Sequence, residues 1–325
     1  MENQKYKTSI GGQALIEGVM MHGPKGAGVA VRLPNGDLDV ELHDEKRLAD
    51  KHKWAKLPII RGVIAFFESL KFGYKYLNIS AEKSAYLEEE EEPESKLDKW
   101  MTEHFSDKVM PVITVISSIL GVAIALLLFL YLPIRLVDFL DMHVFGSVLE
   151  AHNLHPLIEG IIKIILLVLY MWAVSKQKDI HRVFQYHGSE HKTIFCYENG
   201  LPLTVENVRK QGRFHPRCGT RFMIVMLLIG ILLGTILVLI WPGVGKIRWL
   251  YTLLKLLMLP LVMGFGYEFI KYAGRHENAF IKILSAPGLW MQRITTQEPT
   301  DDMIEVAIAA FNAVRTDNPE DDGIK

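Results

Sequence analysis

Residues 222–241 read FMIVMLLIGILLGTILVLIW, a run with no charged side chain and with glycines at 230 and 234. A helix rises about 1.5 Å per residue, so a run of this length crosses the roughly 30 Å hydrocarbon core of a bilayer. The spacing of Gly230 and Gly234 predicts a face that another helix can approach closely. Three further stretches have the same character: Val109 to Leu132, Leu157 to Val174 and Leu250 to Ile270. The expected fold class is therefore a polytopic α-helical membrane protein with about four transmembrane helices and a small α+β cytoplasmic N-terminal region. Glu159, Lys163 and Lys255 fall inside these stretches. Charge is costly in lipid, so the three are expected to snorkel to one surface, and Glu159 can also pair with Lys163 one helical turn away.

Basic residues in the connecting segments set the orientation. The first connection, Pro133 to Pro156, has only Arg135, whereas the second, Ser175 to Arg221, carries nine Lys and Arg residues. Short basic loops stay in the cytoplasm, which predicts a cytoplasmic loop 175–221 and, with four spans, both termini cytoplasmic. The organisation expected is a cytoplasmic α+β region 1–86, an acidic linker 87–108, a four-helix transmembrane region 109–271 containing that loop, and a cytoplasmic C-terminal segment 272–325. Half of the 325 residues are apolar, more than a water-soluble globule ordinarily needs. The 36 Lys and Arg residues nearly balance 37 Asp and Glu, which leaves no electrostatic case for nucleic acid as a partner. The lipid bilayer is the first partner expected.

Within the N-terminal region, Val29 to Leu42 reads VAVRLPNGDLDVEL, two alternating runs around an Asn-Gly turn, and predicts a β-hairpin. The preceding GGQALIEGVMMHGPKG predicts a strand with a backbone-close turn. Trp54 to Leu77 is amphipathic, either a core helix of the soluble region or one lying among lipid headgroups. The run LEEEEEPESKLDKW reads as a solvated linker. Near the C-terminus, Pro287 to Trp290 predicts an apolar turn, and Pro299 and Thr300 open a helix whose first residues, Asp301 and Asp302, suit the positive end of its dipole.

The segment 175–221 carries the chemistry. His187, Glu190 and His191 form an H-x-x-E-H arrangement, and Ile180, Phe184, His187 and His191 recur at successive helical turns. On a helix the two imidazoles reach one divalent ion while Glu190 acts either as a ligand or as general base, the inverse of the H-E-x-x-H pattern. Gly188 inside the motif weakens such a helix by about 1 kcal/mol. His215 and Cys218 follow, three apart, just before the 222–241 run, and are candidates to complete the site. The donors fit zinc best, either as a closed structural site or as an open catalytic one. Cys196 is the other cysteine, and in the cytoplasm no disulfide is expected. Two acids are further candidates. Glu268 is either a ligand or an ion-pair partner, with Arg213, Arg217 and Arg221 available, and Glu17 is either a site residue or a salt-bridge partner.

The segments GGQALIEGVMMHGP, YHGSEHK, FHPRCGT, YEFIKYAG and APGLWMQRITTQEP occur in this order along the chain. Together they resemble the YqhQ-like family of bacterial membrane proteins of unknown function, over nearly the whole chain. The resemblance implies a bacterial inner-membrane location and an enzyme described at most as metal-dependent, and it supplies no substrate. The functional expectation is a metal-dependent hydrolase with His187, His191, His215 and Cys218 as ligands and Glu190 as base. The alternative is a non-catalytic accessory or assembly factor that binds another membrane protein complex, such as a protein translocase. A transporter or channel ranks behind both, because the spans hold few polar residues at mid-depth.

Overall fold

A computed structural model describes residues 7–45, 48, 52–84, 110–151, 154–276, 278–316, 318 and 321–323. The acidic linker expected at 87–108 lies outside the described residues. The chain forms two compact units, one of Met1–Leu87, Val168–Met226 and Pro260–Lys325, the other of Glu88–Leu167 and Leu227–Leu259.

The first unit is built on an antiparallel meander of β1 (Gly11–Leu15), β2 (Gly18–Gly23), β3 (Gly26–Arg32) and β4 (Leu38–His43), in the order β1-β2-β3-β4. The expected hairpin is β3–β4, with Arg32 paired to Leu38 and Gly36 at φ 87° in the turn. The segment read as one strand is instead a second hairpin, β1–β2. Its turn holds Glu17 at φ 49°, a conformation few side chains accept, and bonds from Arg182 and Tyr186 to the Glu17 carboxylate hold it there.

Both faces of the sheet are covered. Met20, Val29 and Val31 point toward Phe72, Tyr76 and Ile79 of α1 (Ile60–Ser84). Val19, Met21 and Ala30, alternating with them, point the other way. There they meet Tyr186, Ile194 and Tyr197 of α5 (Lys178–Glu198) and Met303, Val306, Ala310 and Phe311 of α11 (Asp301–Val314). The C-terminal helix predicted from Pro299 and Thr300 is thus a core element beside the N-terminal sheet. The turn predicted at Pro287 is absent: Pro287 lies inside α10 (Ala279–Thr295). A proline there removes one backbone hydrogen bond, and buried side chains at Ile281, Ser285, Met291 and Gln292 hold the helix through it.

Among the described residues three helices are long and apolar enough to cross a membrane: Val115–His143, His155–Val174 and Phe222–Ile240. The pair Arg248–Leu257 and Leu259–Ala273, bent by 43°, would make a fourth. We label them α2 (Met110–Leu126), continued through a π turn at Leu127–Tyr131 into α3 (Leu132–His143), then α4 (His155–Val174), α7 (Gly219–Ile240), α8 (Arg248–Leu257) and α9 (Leu259–Arg275). The short α6 (Val205–Arg209) lies between α5 and α7. The first apolar helix runs past Leu132, where the sequence suggested an end. The π turn precedes Pro133, so the missing amide falls where the hydrogen-bond ladder is already shifted. Pro260 accounts for the break between α8 and α9, since its ring clashes with the preceding turn.

Within the second unit, Glu159 is 2% exposed and does not snorkel. It accepts from Lys163 Nζ at 2.6 Å, Lys255 Nζ at 2.5 Å and the Tyr251 hydroxyl at 3.2 Å. Internal pairing thus replaces solvation. Gly234 meets Lys255 and Tyr251 at ordinary contact distance and Gly230 faces open space, so the close helix approach occurs instead at Gly160, against Ile231.

Candidate metal centre

Helix α5 places His187, Glu190 and His191 in one cavity, as the i, i+3, i+4 spacing predicts. Gly188 fits because the chain at 297–299 crosses α5 there: a Cβ at this position would lie 2.0 Å from the Gln297 carbonyl oxygen. The end of α10, just before that segment, supplies an acceptor. His187 Nδ1 donates to the Thr295 carbonyl at 2.8 Å, and His191 Nδ1 donates to the Arg213 carbonyl at 2.5 Å. Carbonyls only accept, so both Nδ1 atoms carry the proton and both Nε2 atoms present lone pairs.

Those lone pairs face Cys218. His187 Nε2 is 3.2 Å from Cys218 Sγ, and one donor atom from each of His187, His191 and Cys218 lies within 4.8 Å of the others. His191 is 1% exposed, and its Nε2 makes no regular hydrogen bond. Cys218 immediately precedes α7, and its sulfur accepts the Thr220 amide at 3.5 Å and lies 3.3 Å from the Thr220 hydroxyl. Burial pushes the thiol up, but the His191 imidazole and the Thr220 contacts outweigh it and hold Cys218 below its ordinary value. Burial, with His187 beside it, lowers His191. Both shifts favour the protonation states that ligate a metal.

Glu190 is 5% exposed. Its Oε1 accepts the Gly12 amide at 3.1 Å, while Oε2 is buried with no hydrogen-bond partner. Burial, reinforced by Cys218, raises its carboxyl to about 7 against the opposing effects of His187 and the Gly12 amide. Gly12 is required for this approach, because a Cβ there would meet the Met20 carbonyl at 2.4 Å and the Glu190 carboxyl at 3.2 Å. The cavity measures about 270 Å³, with Gly12, His22, His187, Glu190, His191 and Cys218 in its wall.

His215 also lines this cavity but has both ring nitrogens engaged. Nδ1 accepts the Arg217 amide at 3.3 Å, which leaves Nε2 to donate toward Glu198 at 3.5 Å. Burial works against the buried Glu198 carboxylate, but His215, Arg217 and the Thr8 amide hold it below its usual range. Glu268 pairs with Arg61 and accepts the Ile59 amide, and Glu17 pairs with Arg182, so neither carboxylate joins the His187, His191, Cys218 group. Cys196 is a free thiol packed with Val208 and Ile304. Reading by sequence missed the Gly12 amide, the Thr220 contacts and the two carbonyl acceptors. The Gly11-Gly12 pair was the one visible signal.

A profile of the family described as "Protein of unknown function (DUF1385)" matches residues 57–317. The chain belongs to that family. The DUF1385 match contains every candidate ligand and Glu190, while Gly12 and Glu17 precede it. Another similar protein is "Uncharacterized protein YqhQ" of Bacillus subtilis (strain 168), 33% identical over 320 residues, which cover 96% of this chain and 94% of the relative. None of the solved structures matches the chain.

Proposed function

We propose that this DUF1385 protein is a membrane-embedded, metal-dependent hydrolase whose centre consists of His187, His191 and Cys218 as ligands and Glu190 as general base. The observation that carries the reading is the convergence of two imidazole Nε2 atoms and a thiol sulfur, each imidazole fixed by a carbonyl on its other nitrogen. Such outer contacts are the usual means of orienting metal-binding histidines. Three protein ligands beside a cavity leave a position open, as catalytic sites require. A divalent ion held there, zinc being the best match to imidazole and thiolate, would polarise a carbonyl or phosphoryl group.

Glu190 accepts a proton from the attacking water at Oε2 and passes it to the leaving group as the scissile bond breaks. The Gly12 amide keeps the carboxylate aimed while this happens. Membrane residence is supported by the apolar helices: Ile116, Ile119, Leu120 and Val122 are all more than half exposed, an apolar surface that water does not tolerate. The basic residues of 175–221 favour the cytoplasmic side for the centre and for both termini.

Elemental analysis of the full chain, extracted without chelators, tests the reading and should find about one transition-metal ion per protein. Absence of metal, together with no change in thermal unfolding on adding Zn²⁺, would sink it and return the chain to the accessory role. Glu190→Gln should hold the ion within about threefold of wild type, because the carboxylate is a base and not a ligand. Thr220→Ala should weaken zinc affinity about tenfold, the effect of removing one outer contact to a ligand, as read by competition with a chromogenic chelator.

A further inference from the structure

A second cavity of about 490 Å³ shares Gly12 and His22 with the metal centre and is in the size range of small-molecule sites. One helix lines much of it. Arg61, Ile64, Ala65, Glu68, Ser69 and Phe72 of α1 all face it, positions that recur at three- and four-residue steps. The opposite face of α1 exposes Ile60, Phe67, Leu70, Tyr74 and Leu77. This helix thus packs Phe72 and Tyr76 on the sheet, turns Arg61 and Glu68 to the cavity, and carries an exposed apolar stripe on its outer side. An outward apolar stripe with aromatic residues suits the headgroup boundary of a bilayer.

The cavity itself has two characters. Met20, Ile64, Ala65 and Phe72 give it apolar wall, and Lys56, Arg61 and Lys271 give it three cations against the single carboxylate of Glu68. Arg61 is neutralised by Glu268, and Glu68 accepts the Leu48 amide. Among the described residues Lys56 and Lys271 have no ion-pair partner within 4 Å. Two ammonium groups that lie in no ion pair, beside apolar wall, suit an anion joined to a hydrocarbon chain.

We infer that this cavity is the substrate arm of the metal centre and takes an anionic amphiphile, a phosphate or carboxylate carrying an alkyl or acyl chain, drawn from the bilayer surface. The inference rests on the hydrolase reading: Gly12 and His22 line both cavities, so the bound molecule lies beside the metal centre. Lys56 and Lys271 fix the charged head, and the apolar wall holds the chain.

The test uses the full protein in nanodiscs with a photoreactive dodecyl phosphate as probe, crosslinked sites being mapped by peptide mass spectrometry. Labelling should fall within 56–72 and 267–271, be displaced by unlabelled dodecyl phosphate or dodecanoate, and resist both inorganic phosphate and dodecanol. Lys56→Gln combined with Lys271→Gln should reduce it about tenfold or more, the loss expected for charge-assisted bonds. Ala65→Trp, which fills the cavity without altering its charge, should do the same. Labelling must persist in His191→Ala, which lacks the metal ligand but keeps this cavity, and a wild-type chain that is labelled but contains no metal refutes the hydrolase reading alone. Labelling spread along the apolar helices and indifferent to these variants would overturn the inference. So would displacement by inorganic phosphate, which marks a simple anion site, or by dodecanol, which marks an apolar one.

Discussion

Replacing His191 with alanine is expected to lower the affinity for Zn²⁺ by about 10² to 10³-fold. Zinc held by four ligands gains roughly 10–16 kcal/mol at neutral pH, so one ligand accounts for about 3–4 kcal/mol, and each 1.4 kcal/mol is a factor of ten. His191 is the decisive ligand because its ring is buried and its Nε2 makes no regular hydrogen bond, facing only Cys218. Zinc should therefore stabilise the wild type by about 4 kcal/mol at a thousandfold excess over its dissociation constant, and at the same concentration the variant by only about 0.4–1.4 kcal/mol. Cys218→Ser serves as the companion change, since it removes the soft donor while nearly preserving shape. Chelator competition and zinc-dependent thermal unfolding on the purified full chain read both effects. Zinc binding by His191→Ala at wild-type strength would show that the three donors do not share an ion.

How much of this centre the sequence disclosed follows from how local each contact is. The face shared by His187, Glu190 and His191 is a property of one helix, and the repeat of Ile180, Phe184, His187 and His191 was enough to read it. The β3–β4 hairpin was legible for the same reason, through its Asn-Gly turn. The β1–β2 hairpin was not, because Ile16 and Glu17 carry no turn signature and Arg182, far along the chain, holds the turn.

Between His215 and Cys218 the sequence offered no choice. The choice is made by Glu198 and the Arg217 amide, which occupy the His215 ring and leave Cys218 facing the imidazoles. Glu268 was correctly suspected of pairing with an arginine, but its partner is Arg61 of α1, which no pattern of spacing could single out. The apolar helices were read from composition alone, whereas their ends depended on Pro133 and Pro260 acting within particular hydrogen-bond ladders. Contacts within a turn of helix are written in the sequence; contacts between segments are decided by packing.

Gly188 gives the sharpest test of that packing, because local and tertiary arguments predict opposite signs. Inside an ordinary helix, Gly→Ala stabilises by about 1 kcal/mol. In α5 the new methyl would sit 2.0 Å from the Gln297 carbonyl oxygen and 3.4 Å from Pro299 Cδ, so the crossing segment must move. It is not free to move. The Gln297 amide donates to the Phe184 carbonyl at 2.8 Å, Gln185 donates to the Glu298 carbonyl at 3.0 Å, and Lys192 pairs with the Glu298 carboxylate. Gly188→Ala is therefore expected to destabilise the protein by about 2–3 kcal/mol, the cost of overpacking a closed contact. The displacement also reaches the Thr295 carbonyl that fixes the His187 tautomer, so zinc affinity should fall about tenfold in the same variant. Denaturant unfolding and zinc titration measure the two losses independently. A gain in stability would mean that the 297–299 segment does not lie across α5, and with it would go the carbonyl that orients His187.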